Sequence, residues 1–143
     1  MTKRTKGERR RDTVEACQAL IVGKPYTPGT RDCLKLLLKA VRSMGGSTTL
    51  AKGAKYTTEA GALRQLKKRG FDDLPSALDA AGLVRIAPAA ALPADILGLR
   101  TAESAFGIAV AIYAGNGKAV TFAEGVGMTG KLQETPLMAW RNG

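Results

Sequence analysis

The 143-residue sequence contains no histidine. Without an imidazole the chain can form neither a Ser-His-Asp triad nor a Cys-His dyad, and no metal site in it can use a histidine ligand. Histidine is also the side chain that most often transfers protons near neutral pH. Any chemistry performed by this chain must therefore proceed without the usual general base of hydrolases.

Cysteines and long apolar runs are also scarce. Two cysteines, Cys17 and Cys33, are too few for a disulfide framework or a structural zinc site, so we expect synthesis in a reducing compartment and no cofactor. The longest apolar stretches, 87–92 and 107–114, are far shorter than the roughly 20 residues that span a bilayer. No apolar segment follows the basic N-terminus, so neither a secretory signal nor a membrane span is expected.

Positive charge is in excess, with 22 Lys and Arg against 12 Asp and Glu and a net charge of +10. Half of this excess lies in residues 1–11, which have no apolar residue after Met1. We predict a flexible basic arm over 1–11, which either stays solvated or binds DNA or an acidic surface. A single domain is predicted over 12–143. The cations of the arm are Lys3, Arg4, Lys6, Arg9, Arg10 and Arg11.

Hydrophobic periodicity predicts helices first and strands second, which indicates an α+β domain with an antiparallel sheet. The predicted helices cover 12–22, 33–44, 59–69 and 74–80, the third capped by Thr57 or Thr58 and the fourth by Asp72 or Asp73. The predicted strands cover 83–86, 95–99, 107–114, 118–123 and 137–141, with a hairpin turn over 115–117.

Cys33 is the candidate nucleophile. It lies in the first turn of the most amphipathic predicted helix, where the positive end of the helix dipole is expected to lower the thiol pKa. The alternative is that Cys33 is a small buried core residue, as free cysteines usually are.

The segment 26–34, Tyr-Thr-Pro-Gly-Thr-Arg-Asp-Cys-Leu, resembles the aromatic-x-x-G-x-x-D-C element of NlpC-type papain-like cysteine peptidases. It is most similar to their short relatives encoded in phage tail-gene clusters. Matches to the Y-x-T, G-D-hydrophobic, H-V-G-I-Y-x-G-x-G and A-W-R motifs of that group follow in order at 56–58, 94–97, 106–117 and 139–141. The resemblance implies a papain-like fold with N-terminal helices packed on a small antiparallel sheet or partial barrel.

The departures from the family pattern affect its catalytic residues. The resemblance aligns Ala109 with the general-base histidine and implies that this position faces Cys33. Asp32, directly before the cysteine, can raise the thiol pKa but cannot replace an imidazole near neutrality. The resemblance therefore implies a scaffold without peptidase activity, since a fold does not carry its function along with it.

Three functions are compatible with these features. The favoured hypothesis is a catalytically degenerate papain-like domain in a phage tail tip or baseplate hub, made in the host cytoplasm and assembled with other tail proteins in the virion. The second is an active thiol peptidase or peptidoglycan hydrolase that aids DNA entry, with Cys33 as nucleophile. The third is a small basic nucleic-acid-binding protein. Trp140 is predicted either as an interface anchor or as a core residue.

Overall fold

The computed structural model describes residues 5–46, 55–101 and 106–143. The helices within these ranges are α1 (Lys6–Ile21), α2 (Cys33–Ser43), α3 (Glu59–Lys68) and α4 (Leu74–Ala80). The strands are β1 (Val84–Ile86), β2 (Ile96–Leu99), β3 (Ala109–Gly115), β4 (Lys118–Ala123), β5 (Val126–Lys131) and β6 (Met138–Arg141), with a short 3-10 helix over Pro88–Ala90 between β1 and β2. No helix in the described ranges is long and apolar enough to cross a membrane.

The strands form one open sheet in the order β1-β6-β2-β3-β4-β5, and neighbouring strands are antiparallel. The predicted α+β class with an antiparallel sheet is confirmed. The glycine-rich strand β5 was not among the predicted strands, because two of its six residues are glycines and only Val126 and Met128 are large and apolar. Gly127 lies so close to the Ile21 carbonyl that a Cβ at position 127 would collide with it. This contact brings the end of α1 against the edge of the sheet.

Side-chain caps fix where three of the helices begin. The carboxylate of Asp32 accepts a hydrogen bond from the Lys35 backbone N–H at 2.9 Å and starts α2. Thr58 and Asp73 cap α3 and α4 in the same way. The buried residues of α2 cover most of its circumference, because the helix packs between α1 and the sheet. They are Cys33, Leu34, Leu36, Leu37, Leu38, Ala40 and Val41.

The sheet has two differently covered faces, because successive side chains of a strand point to opposite sides. The face against the helices contributes large residues to the main core: Ile96, Val110, Ile112, Val120 and Trp140. The opposite face is built mostly from small residues and forms a second cluster: Leu97, Ala111, Ala119 and Ala139.

The predicted flexible arm is wrong in its described part. Helix α1 begins at Lys6 and is capped by a capping box, in which Thr5 and Glu8 bond each other's backbone N–H groups. Arg10 is buried at 7% exposure. Helix α1 was predicted to start only after residue 11, because nothing in this run of charged residues distinguishes Arg10, which is buried, from its exposed neighbours. Lys3 and Arg4 lie outside the described residues.

Arg10 is buried because it pairs with Asp95, whose carboxylate lies directly before β2 and is fully buried. Asp95 Oδ1 accepts hydrogen bonds from Arg10 Nη1 at 3.0 Å and from the Asn142 backbone N–H at 2.9 Å. Asp95 Oδ2 accepts from the Leu92 backbone N–H at 2.9 Å and pairs with Arg141 Nη1 at 3.1 Å. A buried charge is tolerated only when it is paired and hydrogen-bonded, and this carboxylate meets both conditions.

The same network reaches the C-terminal ends of α2 and of the chain's last strand. Arg10 also donates to the Pro93 and Asn142 carbonyls at 2.8 and 3.0 Å. The side-chain amide of Asn142 donates to the carbonyls of Ala40 and Ala94, both at 3.0 Å. The network therefore joins α1, α2, β2 and β6 through polar contacts inside the core.

We expect Arg10→Met to lower the free energy of unfolding by about 3 kcal/mol, because it removes one partner of a buried charge and leaves two carbonyls with one donor fewer. The neighbouring Arg11 is the matched control, since its side chain is 66% exposed and lies 3.7 Å from Asp12. Arg11→Met should change the stability by less than about 0.5 kcal/mol. Urea unfolding of both variants tests this, and equal losses would contradict the role of the network.

Candidate functional site

A tight turn over residues 27–31 presents Cys33 at the start of α2. Thr27 and Arg31 exchange two backbone hydrogen bonds, at 2.7 and 2.8 Å. Between them Gly29 has a φ of +86°, and a Cβ at this position would collide with the carbonyl oxygen of Tyr56. Only glycine satisfies both conditions, so the turn packs directly against the segment that leads into α3.

Asp32 holds this arrangement together. Besides capping α2, its carboxylate accepts from the Gly29 backbone N–H at 2.8 Å and from the hydroxyl of Tyr56 at 2.6 Å. The residue is only 2% exposed. Both carboxylate oxygens are occupied by structural hydrogen bonds, so Asp32 is not positioned as a proton acceptor for an incoming substrate.

Cys33 is the first residue of α2 and is buried at 9% exposure. Burial raises the pKa of its thiol to about 11, and the carboxylates of Asp32 and Glu59 add to this shift. The backbone N–H of Val110 lies beside the sulfur and offsets only part of it. The prediction that the helix dipole lowers this pKa is therefore wrong, because desolvation and two nearby anions outweigh it.

Two tyrosines complete the surroundings of the thiol. Burial raises the pKa of both Tyr26 and Tyr56 above the ordinary phenol value, and nearby anions reinforce the shift, including the Asp32 that Tyr56 bonds. The ring of Tyr26 packs edge-on against Phe122 with centroids 4.9 Å apart. Both phenols stay protonated near neutral pH, and Tyr56 donates its proton to Asp32, so neither can replace a general base.

Ala109 is not opposite Cys33. It pairs with Leu99 at the start of β3, and the register places both on the small-residue face of the sheet. Val110, next in the strand, points into the main core that contains Cys33. The expectation that position 109 faces the thiol is wrong, because the side chains of a strand alternate and the motif match is one residue out of phase with the structure.

The family of the chain follows from a match over nearly its whole length. Residues 5–142 match the family described as "Domain of unknown function (DUF6950)". The chain belongs to this family. Among curated proteins, no match to this DUF6950 chain was found.

A solved structure shares the fold of this DUF6950 domain. It is a protein described as similar to a lipoprotein of the NLP/P60 family from Staphylococcus aureus subsp. aureus Mu50, with a TM-score of 0.57 and 17% sequence identity. The match covers 99% of the DUF6950 chain and 43% of the other chain. The predicted NlpC-type papain-like fold is confirmed.

The structure shows which of the remaining predicted interaction residues of the DUF6950 domain are buried and which are exposed. Trp140 is fully buried and donates from Nε1 to Asp79 at 2.9 Å, so the core alternative is the right one and the interface alternative is wrong. Lys6, Arg9 and Arg11 are exposed on α1. The predicted interaction role of Arg10 is wrong, because its guanidinium is used inside the core.

The environment of the thiol could be predicted only in part. The sequence motif singled out Tyr56, but it gave no reason to pair this hydroxyl with Asp32.

Three surface concavities of the described residues, of about 620, 460 and 960 Å³, all lie away from Cys33. No group of three or more Cys, Asp or Glu side chains in the described ranges could hold a metal ion.

We expect Gly29→Ala to destabilise the domain more than Gly70→Ala. Gly70 has a similar φ of +89° but open space around its Cα, so alanine there costs only the left-handed conformation, roughly 1–2 kcal/mol. Alanine at position 29 must also displace the Tyr56 carbonyl and strain the hydrogen bond from the Tyr56 hydroxyl to Asp32. We expect this to lower the free energy of unfolding by about 2 kcal/mol more. Chemical unfolding measures both variants, and equal losses would contradict the packing of the turn on Tyr56.

We expect Cys33 to be alkylated slowly in the folded DUF6950 domain. A pKa of about 11 instead of 9.0 leaves roughly a hundredfold fewer thiolates at neutral pH, and the rate should rise with pH up to that value. Iodoacetamide labelling followed by mass spectrometry, with the urea-unfolded chain as reference, tests this. Fully buried Cys17, with a pKa of about 12, serves as the internal control. Faster labelling of Cys33 in the folded chain than in the unfolded chain would indicate an activated nucleophile.

Proposed function

We propose that this DUF6950 domain is a catalytically inactive papain-like domain that serves as a structural component of a phage tail tip or baseplate hub. The observation that carries the loss of catalysis is the state of Cys33. The thiol at the nucleophile position is buried, its pKa is raised, and the chain has no histidine to deprotonate it.

The neighbouring groups support the same conclusion. A thiol peptidase also needs an acid to protonate the leaving amine. Asp32 is occupied by the turn and by Tyr56, and the two phenols keep their protons far above neutral pH. The residues around the sulfur therefore stabilise the start of α2 and do not activate the Cys33 thiol for reaction.

The assignment to a phage particle rests on the sequence. The motifs at 26–34, 56–58, 94–97, 106–117 and 139–141 are most similar to short relatives from phage tail-gene clusters. A domain that keeps its scaffold without its chemistry is suited to an assembly role, in which its surface contacts other tail proteins. Lys6, Arg9 and Arg11 are exposed cations that such contacts can use.

Quantitative mass spectrometry of purified particles tests the proposal. We expect the chain in virions at a fixed ratio to known tail proteins, with crosslinks from Lys6 to a neighbouring subunit. Its presence in infected-cell lysate and absence from particles would overturn the structural role. Cleavage of muropeptides by the wild-type chain, lost in the matched Cys33→Ala variant, would overturn the loss of catalysis.

A further inference from the structure

A surface groove of about 620 Å³ runs along α1. One wall is a stripe of the helix from Lys6 to Gln18, and the opposite wall is formed by Leu92, Pro93 and Ala114. The lining positions of the helix recur every three or four residues, so they share one face of it over about 18 Å. We call this feature the α1 groove. Its volume is within the range of small-molecule sites.

The middle of the α1 groove is apolar. Val14 of the helix lies on one side, and Leu92 and Pro93 lie opposite, with Leu92 47% exposed. Among the described residues that line the groove, Gln18 is the one neutral polar side chain, and its amide donates to Thr129 Oγ1 at 3.0 Å. A polypeptide laid here would desolvate backbone N–H and C=O groups with few partners, whereas an alkyl chain needs none.

The end of the groove nearest the N-terminus of α1 is positive. Lys6, Arg10 and Arg11 line this end. Glu15, one turn beyond Arg11, is the one acidic side chain among the described residues that line the groove. Asp12 lies outside the groove, 3.7 Å from Arg11, and offsets part of the charge of that residue. The groove therefore has a cationic end and an apolar middle.

The buried network beneath the groove adds positive charge. The side chain of Arg10 is 9% exposed and pairs with Asp95, which also pairs with Arg141. The network thus contains two guanidinium groups for one carboxylate. An anion at the cationic end of the groove would lie near this unbalanced charge, where partial burial weakens the screening by solvent.

Gly7 leaves the start of α1 accessible from the groove. It lines the groove, and a Cβ at this position would meet no atom within 4 Å. The first N–H groups of a helix have no partner within it and attract anions. The capping box uses the Glu8 N–H for the Thr5 hydroxyl and holds the Glu8 carboxylate near the Thr5 N–H. The missing side chain at position 7 lets a head group approach the remaining backbone donors.

We propose that the α1 groove binds a free, single-chain anionic amphiphile of the fatty-acid type. Its carboxylate lies beside Lys6 and its alkyl chain lies along Val14 and Leu92. The cationic end and the apolar middle together match a molecule with one negative head and an aliphatic tail. A bilayer surface is a poorer match, because a concave groove admits one chain and not a plane of head groups. The proposal depends neither on Cys33 nor on a role in a phage particle.

Isothermal titration calorimetry of the full chain with decanoate at neutral pH, below the concentration at which decanoate forms micelles, tests the proposal. We expect a Kd of about 1 mM or tighter. Hexanoate has a shorter alkyl chain and should bind at least roughly tenfold more weakly. Decylammonium has the same chain and the opposite charge, and should bind roughly fivefold more weakly.

Three variants test the assignment of the groove. Leu92→Gln should weaken decanoate binding roughly tenfold, whereas its matched control Leu137→Gln, at 44% exposure and outside the groove, should not. Lys6→Gln should reduce the preference for decanoate over decylammonium, whereas Lys118→Gln, at an exposed lysine of β4, should leave it unchanged. Gly7→Leu should obstruct the cationic end and lower the affinity without loss of thermal stability, because leucine favours the helix.

Three results would overturn the proposal: no heat of binding with decanoate, equally tight binding of decylammonium, or an equal loss in Leu92→Gln and Leu137→Gln. Binding to phosphatidylglycerol vesicles without binding of free decanoate would also overturn it, and would assign the groove to a membrane surface. Circular dichroism verifies that each variant is folded, so that a loss of affinity reports on the groove.

Discussion

The fully buried carboxylate of Asp95 is the constraint on which the packing of this domain depends. A lone charged carboxylate in the core would cost several kcal/mol, a large part of the domain's net stability, so the chain must bring cations and N–H donors to it. Arg10 arrives from the first helix, Arg141 from the last strand, and the backbone of Asn142 from the C-terminus. Satisfying this one group fixes the first helix against the end of the sheet and joins the two ends of the chain, which hydrophobic burial alone, being non-directional, would not specify.

Asp32 plays a comparable part at the other end of α2. Its carboxylate gathers a backbone N–H from the turn, another from the helix and the hydroxyl of Tyr56. These bonds stabilise the helix start, where burial raises the pKa of the Cys33 thiol and the nearby Asp32 charge adds to the shift. In a peptidase, this turn and helix start would expose the nucleophile. In this domain they bury the Cys33 thiol. Stability and reactivity are opposed at this position, because a thiolate needs the solvent or the cation that close packing excludes.

The sequence allowed the order of the helices and of five strands, the caps of α3 and α4 to within one residue and the α+β class to be predicted, because caps and apolar periods are local signals. It did not reveal that Arg10 enters the core, since burial of one cation among many depends on a carboxylate 85 residues away. Strand β5 was missed because two of its six residues are glycines and its apolar residues Val126 and Met128 are exposed, although it pairs regularly with β4. The prediction that Ala109 faces Cys33 was wrong because a one-residue offset in a motif match places the side chain on the opposite face of the sheet.

The distribution of charge on the surface also depends on the fold and not on the sequence alone. A net charge of +10 describes attraction to any anion, but the fold decides where that attraction acts. Residues 6–21 contain four cations, but α1 also contains three acidic residues, and one of the cations, Arg10, is buried in the core. The helices α2 and α3 bury most of their leucines and leave most of their lysines and arginines exposed, so their exposed surplus of positive charge is larger than that of α1. The basic residues of α1 are therefore a poor guide to where the exposed positive charge of this domain lies.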